Sequence, residues 1–317
     1  MPFTTFITPR SSTSSMLTPQ KFIWMDGKLI KWKDAKVHIL THTLHYGGGV
    51  FEGIRCYQTK NSSAIFRLND HINRLFESAK FMHMKIPFSK SILKEAIIKL
   101  IQANKIKEAY IRPIVYYGYG VMGLNPRGAP VNVAIACWPW GAYLGEKGLK
   151  QGISAKIVHN RRYNGKHNEA KICGNYFNSI LAKQESLHNH ADEAILLDEE
   201  KFVAEGSGEN IFIVKNKTII TPKPGAILLG ITRKSIIEIG RRAKMNVLEK
   251  QISVKELLSA DECFFTGTAA ELTPVTKING RHIGKGIPGP ITNFLQAEFN
   301  RALHGTSQLS KKWVTYV

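Results

Sequence analysis

Four short stretches of this 317-residue chain bring together residue types that could act on one ligand. The first is Glu169-Ala-Lys-Ile-Cys-Gly-Asn-Tyr176, where Lys171 has small and apolar neighbours instead of the polar ones that surround a solvated lysine. Such neighbours favour partial burial, and a partly dehydrated amine gives up its proton more readily. It can then attack an aldehyde to form a Schiff base and later carry protons at an adjacent carbon. Taken alone, a lysine just ahead of a helix is more often a salt-bridging surface residue.

The second stretch is Ala204-Glu-Gly-Ser-Gly-Glu-Asn210. Gly206 and Gly208 follow Glu205 at the end of a strand and let the backbone approach a ligand closely. A carboxylate there could keep a pyridinium nitrogen protonated, making the ring an electron sink; a plain glycine-rich turn reads the same. The third, 224–233, sets Leu229-Gly-Ile-Thr232 immediately before a helix, so N–H groups and the Thr232 hydroxyl suit a phosphate, although an ordinary threonine cap looks alike. The fourth, Thr266-Gly-Thr-Ala-Ala-Glu-Leu-Thr-Pro-Val275, runs a strand into small residues whose N–H groups could meet two anions on adjacent sides. A plain small-residue turn is the alternative, and nothing in it resembles the glycine fingerprint of a dinucleotide site.

The elements that must position these stretches follow from periodicity and turn signals. Asp26-Gly27 predicts a hairpin between strands over 23–26 and 28–30. Strands are expected over 37–41, 50–57 and 64–68, then a helix over 70–82. Ser89 caps a second helix whose Ile92, Leu93, Ala96, Ile97, Leu100 and Ile101 share one face. Apolar strands over 109–117 and 131–138 close this half, and the Pro/Gly punctuation places a linker at 141–151. Beyond it, strands are expected over 153–158, 193–197, 202–204, 210–214, 218–221 and 263–265, with helices over 176–188, 232–244 and 291–304. Ser253 and Glu256 form a capping box, Asn279-Gly280 marks another hairpin, and a polar tail follows. Two α+β domains with much antiparallel sheet result, without an internal repeat.

Bulk composition sets the limits. At 43% hydrophobic residues the chain can bury two cores. Its longest apolar runs, 131–137 and 211–214, fall short of the roughly 20 residues a membrane helix needs. Cys56, Cys137, Cys173 and Cys263 are scattered and read as reduced residues of a cytoplasmic protein; no metal site is expected. The net charge of +20 would favour anions, yet the basic residues are dispersed and form no stripe interleaved with aromatics, which argues against a nucleic-acid binder. Residues 1–20 are rich in Ser and Thr with no acid, as in an organellar transit peptide, but Pro2, Pro9 and Pro19 favour reading 1–21 as a disordered extension.

Taken in order, His45-Tyr-Gly47, Val50-Phe-Glu-Gly-Ile-Arg-Cys-Tyr57, Ala109-Tyr-Ile-Arg-Pro113, Pro139-Trp-Gly-Ala-Tyr-Leu-Gly145, Glu169-Ala-Lys171 with Gly174-Asn-Tyr176, Glu205-Gly-Ser-Gly-Glu-Asn210, Gly230-Ile-Thr-Arg233 and Gly267-Thr-Ala-Ala-Glu271 give the chain its resemblance. Over about 22–305 it resembles the branched-chain amino acid aminotransferases, fold-type IV enzymes that depend on pyridoxal 5′-phosphate. The resemblance implies a small N-terminal α/β domain (22–140), a larger C-terminal α+β domain of pseudo-barrel type (152–305), a tail over 306–317, and an active site between the domains completed by the second copy of a homodimer.

The same resemblance implies that Lys171 holds the cofactor covalently, Glu205 meets its pyridine nitrogen, Tyr176 its phenolic oxygen, and Arg55, Ile231, Thr232 and Thr268 its phosphate. The substrate α-carboxylate would lie against the N–H groups of Ala269 and Ala270 and the Tyr110 hydroxyl. Arg112 would meet the γ-carboxylate of glutamate in a pocket bounded by Gly53 and walled by Tyr46, Phe51, Trp140 and Tyr143, whose rings suit apolar side chains. The implied reaction is transamination of L-leucine, L-isoleucine and L-valine with 2-oxoglutarate in two half-reactions, hence ping-pong. A D-amino acid aminotransferase or an aminodeoxychorismate lyase would share Lys171, Glu205 and the phosphate residues; 51–55, 110–113 and 140–145 argue against both. The basic segment 160–168 lacks the proline that family members often carry before the lysine, which leaves that loop's shape open.

Overall fold

Asp26 and Gly27 turn β1 (Phe22–Met25) into β2 (Lys28–Lys31), and both adopt the positive φ that so tight an antiparallel turn requires. The computed structural model describes residues 17–60, 62–141 and 144–317. After the hairpin come α1 (His42–Tyr46), β3 (Gly49–Phe51), β4 (Ile54–Gln58), β5 (Ser63–Phe66), α2 (Leu68–Phe81), α3 (Lys90–Asn104), β6 (Ala109–Tyr117) and β7 (Val131–Trp138). Their strands form one sheet in the order β5-β4-β6-β7-β1-β2, with β3 also on β6. The Ser89 hydroxyl caps α3, which presses Leu93, Ala96, Ile97, Leu100 and Ile101 into the core, while Ile92 faces outward.

Two strand expectations in this half fail. Residues 37–41 form no strand: Val37, Ile39 and Leu40 are exposed, and the segment leads instead into α1. The strand expected over 50–57 breaks at Glu52-Gly53, because the Glu52 carboxylate turns inward to buried partners. Gly53 passes so close to Tyr110 that a Cβ there would lie 2.0 Å from the tyrosine hydroxyl.

The second half begins with α4 (Gly145–Gln151), inside the stretch expected as linker, and β8 (Ile153–Arg162). It continues with α5 (Tyr176–His188), β9 (Glu193–Asp198), β10 (Val203–Gly206), β11 (Asn210–Lys215), β12 (Thr218–Thr221), α6 (Ile231–Arg242), β13 (Val247–Glu249) and α7 (Val254–Leu258). Then come β14 (Glu262–Gly267), β15 (Glu271–Ile278), β16 (Arg281–His282), α8 (Pro290–Leu303), α9 (Ser310–Trp313) and β17 (Val314–Tyr316). The strands pair in the order β10-β9-β8-β15-β14-β11, and Glu205 pairs with Asn210 to close β10 onto β11. This closed ring is the pseudo-barrel implied by the resemblance.

Strand alternation divides the apolar residues of β11 between two cores. Ile211 and Ile213 pack with Phe265 and Ile278, whereas Phe212 and Val214 face α6 and α8, with Phe212 stacked on Phe264 at 5.0 Å. The capping box expected at α7 is present, with both Ser253 and Glu256 bonds made. The stretch read as a polar tail instead crosses back: β17 pairs antiparallel with β5, and the Arg67 N–H donates to the Trp313 carbonyl at 2.6 Å. Among the described residues no helix is long and apolar enough to cross a membrane.

Candidate active site

Lys171 sits where the two halves of the chain are sewn together. Its N–H donates to Ser78 Oγ of α2 at 2.9 Å, its carbonyl accepts from the Phe51 N–H at 3.0 Å, and neighbouring Ile172 bridges to Val50. Gly174 N–H donates to Gly47 O at 3.2 Å; Gly47 has φ 66°, and a Cβ on it would lie 2.9 Å from the Gly174 Cα. The lysine backbone is thereby fixed from both sides. Its Nζ bonds the Tyr176 hydroxyl and lies 4.9 Å from the centre of the Phe51 ring.

One cavity is lined by Lys171, Tyr176, Glu205, Ile231, Thr232 and Thr268, which brings together six residues singled out from separate parts of the sequence. At one end is the start of α6. Its N-cap is Gly230, without any side-chain cap bond, and Thr232 lies within the helix, so a threonine cap is not what this segment is for. The first N–H groups of a helix have no intrahelical acceptor and carry partial positive charge, which suits an anion. The cavity is also lined by the end of β14, where the buried Thr266 hydroxyl has no hydrogen-bond partner, and by Thr268 in the turn that follows.

Glu205, almost fully buried, lines the same cavity. Its Oε2 accepts from the Leu228 N–H at 3.1 Å and Asn210 Nδ2 at 3.2 Å, and its Oε1 stands 3.0 Å from Arg162. Burial pushes this carboxyl up, while Arg162 and the Leu228 amide draw it back towards the carboxylate. Arg162 ends β8 and lies within the basic segment 160–168, whose shape the sequence left undetermined. Asn168 closes that segment, donating to Tyr163 O at 2.6 Å and Gly225 O at 3.0 Å.

Arg55 is not among the lining residues. Its guanidinium is engaged elsewhere, with Glu271 Oε1 at 2.9 Å and the Trp140 carbonyl at 3.1 Å. Arg74 lines the cavity instead, beside Gly230 and Ile231. Sequence reading passed over Arg74, although a signal existed: Arg67, His71, Arg74 and Ser78 recur on one face of α2 among buried apolar residues. Arg162 and Glu209 were also passed over and also line the cavity. Burial and the like charge of Glu193 push the Glu209 carboxyl up to about 8, against Lys183 and the Gly208 N–H.

The residues expected to contact substrate form a connected row. Phe51 meets Tyr176 edge-on at 4.8 Å, and the Arg112 guanidinium lies 4.9 Å from the Phe51 ring and donates to the Tyr110 hydroxyl at 3.2 Å. Tyr110 packs on Trp140 at 4.5 Å and against Gly53. Ala269 and Ala270 follow Thr268 in the turn after β14; the next residue, Glu271, has φ 54° and is the one Arg55 holds. Tyr46 stands apart, 42% exposed on α1 with its ring against His42. Tyr143 lies outside the described residues.

The family model of amino-transferase class IV matches residues 49–278. A branched-chain-amino-acid aminotransferase of Pseudomonas aeruginosa is 48% identical, the match covering 96% of this chain and 99% of that protein. The Escherichia coli K12 protein of the same description is 40% identical, with 93% and 97% covered. Among solved structures, the branched-chain amino acid aminotransferase of Escherichia coli superposes with a TM-score of 0.91 at 39% identity, covering 93% of this chain and 98% of that one. The branched-chain amino acid aminotransferase of Thermobaculum terrenum, solved in its PLP-form, gives a TM-score of 0.88 at 31% identity, with 94% and 98% covered.

Proposed function

The chain belongs to the class IV aminotransferases, and from that premise we propose that it exchanges amino groups between L-leucine, L-isoleucine or L-valine and 2-oxoglutarate, using pyridoxal 5′-phosphate. The observation that carries this reading is one cavity lined together by the start of α6, whose first N–H groups have no intrahelical acceptor, by the Lys171 amine and by the buried Glu205. That set of groups suits a flat heterocycle that carries both a phosphate and a basic ring nitrogen. The open Thr266 hydroxyl and the clear space beside Gly208, where a Cβ would meet nothing, agree with a ligand of that kind.

Bound there, the cofactor supplies the electron sink that lets the substrate α-carbon lose its proton. The remaining work belongs to the protein. Lys171 Nζ holds the cofactor and moves the α-proton, with the Tyr176 hydroxyl keeping that nitrogen in place. Glu205 holds the ring nitrogen, and Ile231, Thr232, Thr268 and Arg74 surround the phosphate. Ala269, Ala270 and Tyr110 receive the α-carboxylate, and Arg112 receives the γ-carboxylate of glutamate. Arg55 has a different part: by pairing with Glu271 at its strained φ, it holds the turn that presents Ala269 and Ala270.

In this reading 22–140 and 152–305 act as two domains with substrate at their seam, and the protein works in the cytoplasm as a homodimer. Its four free cysteines fit a reducing compartment. Leu44, Tyr46, Tyr119, Met122 and the 88% exposed Leu124 are exposed apolar residues on α1 and the segment beside it, and a second copy covering them would give Tyr46 a place in the partner's pocket.

The test is spectroscopic. L-leucine should abolish the visible absorption band of the cofactor-loaded protein and 2-oxoglutarate should restore it, while Lys171→Ala shows neither response and loses at least about 10⁴ in turnover. A band that ignores leucine and answers only D-alanine would retain the family and reject the substrate.

A further inference from the structure

Glu52 takes no part in the reaction as derived above, yet it is a fully buried carboxylate, placed where β3 breaks from β4. Its Oε1 accepts from Arg74 Nε at 2.6 Å, and its Oε2 accepts from Arg74 Nη2 at 2.9 Å and from the Gly53 N–H at 3.3 Å. His71 Nδ1 lies 2.6 Å from the same Oε2. Burial alone would raise the carboxyl, but Arg74 and His71 hold it well below the usual range, so it stays charged. Burial pushes His71 down, against the pull of Glu52 and helped by Arg74 and Lys171, and at 2.6 Å from a carboxylate oxygen the His71 Nδ1 must carry the proton.

The consequence is geometric. A guanidinium is planar, and two bonds from one carboxylate to Nε and Nη2 fix that plane. What remains is the Nη1 edge, which donates to the Leu229 carbonyl at 3.2 Å, two residues before α6 begins. We propose that Glu52, itself oriented by His71, is a positioning residue that fixes the Arg74 guanidinium so that its remaining edge serves the anion end of the cavity. This rests on the reading that the cofactor phosphate binds there.

The test compares two ligands on the cofactor-free protein, pyridoxal 5′-phosphate and pyridoxal, which lacks the phosphate, by quenching of tryptophan fluorescence. Glu52→Gln should weaken pyridoxal phosphate by about 10- to 100-fold, the range seen when a metal ligand loses its orienting partner, and leave pyridoxal within about twofold. Inorganic phosphate should compete with the cofactor in the wild type and hardly at all in the variant. His71→Leu should cost the phosphate ligand about tenfold, the worth of one hydrogen bond to a charged group, and His71→Asn, which keeps a donor near Nδ1, should restore it. If Glu52→Gln weakens both ligands alike, or neither, the proposal is overturned. Should Glu52→Gln fail to fold, the His71 pair decides: equal affinities in Leu and Asn variants overturn it. If Arg74→Ala leaves the preference for the phosphate ligand unchanged, the placement of the phosphate is wrong, whatever Glu52 does.

Discussion

The cavity has two unlike walls. On the ring side, donors are mainly main-chain groups at the start of α6 and in the turn after β14, and the acid Glu205 is held by Asn210, the Leu228 amide and Arg162. On the α2 side, the groups are long or charged side chains held by one another: Arg74 by Glu52, Glu52 by His71. A donor set by helix register cannot swing away, whereas a guanidinium on a flexible stem keeps its direction only through its partners. Substitutions on the ring side should therefore change the rate, and those on the α2 side should change how tightly the cofactor is kept.

Glu205→Gln tests that contrast most severely. The amide keeps the shape and most of the hydrogen bonds but cannot hold a proton on the ring nitrogen. Turnover should fall about 10²- to 10⁴-fold, the usual range for a group that stabilises charge during proton transfer, with cofactor affinity changed less than tenfold. A variant that binds pyridoxal phosphate poorly but turns over normally once saturated would erase the distinction between the walls.

Arg112 stands between the walls, with its guanidinium over Phe51 and one bond to the Tyr110 hydroxyl. Because an apolar substrate makes no use of this cation, Arg112→Leu should raise KM for 2-oxoglutarate about 10- to 100-fold and leave KM for leucine nearly unchanged. Steady-state kinetics with each substrate varied in turn would show it. Equal losses for both would mean that Arg112 supports the pocket and does not read the carboxylate.

The walls also differed in how far the sequence revealed them. Glu205, Thr232 and Thr268 are legible because each stands in a short stretch whose glycines or small residues serve no core. Arg74 is not: it lies in an amphipathic helix, and only a partner 22 residues away in sequence, Glu52, makes its position special. Arg55 is the complementary case: its strand is legible locally, but its pairing with Glu271, 216 residues away, is not. Long, regular elements such as β6, β7 and α5 were read to the residue, because their periodicity decides them locally. The break at Glu52-Gly53 and the return of β17 to the first sheet depend on partners that only the folded chain supplies.

Glu209 sets the finest test, because it is a second titratable carboxylate, beside Glu205, on the ring side of the cavity. Glu193 lies beside it, with Lys183 Nζ 2.7 Å and the Ser207 hydroxyl 2.6 Å from the Glu193 carboxylate, and Glu205 adds like charge. The folded protein holds the Glu209 proton up to about pH 8, whereas an unfolded chain releases it near 4.5. The stability this proton contributes is thus fully present below about pH 4.5 and is lost as the pH rises through 8. Glutamine has no proton to lose, so Glu209→Gln should remove that decline. Between pH 7 and pH 9 the wild type should lose on the order of 1 to 2 kcal/mol more than the variant. Thermal melts of both proteins across that range would measure it. If the two Tm curves fall in parallel, Glu209 is already ionised at neutral pH, and Lys183 outweighs burial on this wall as Arg74 does for Glu52 on the other.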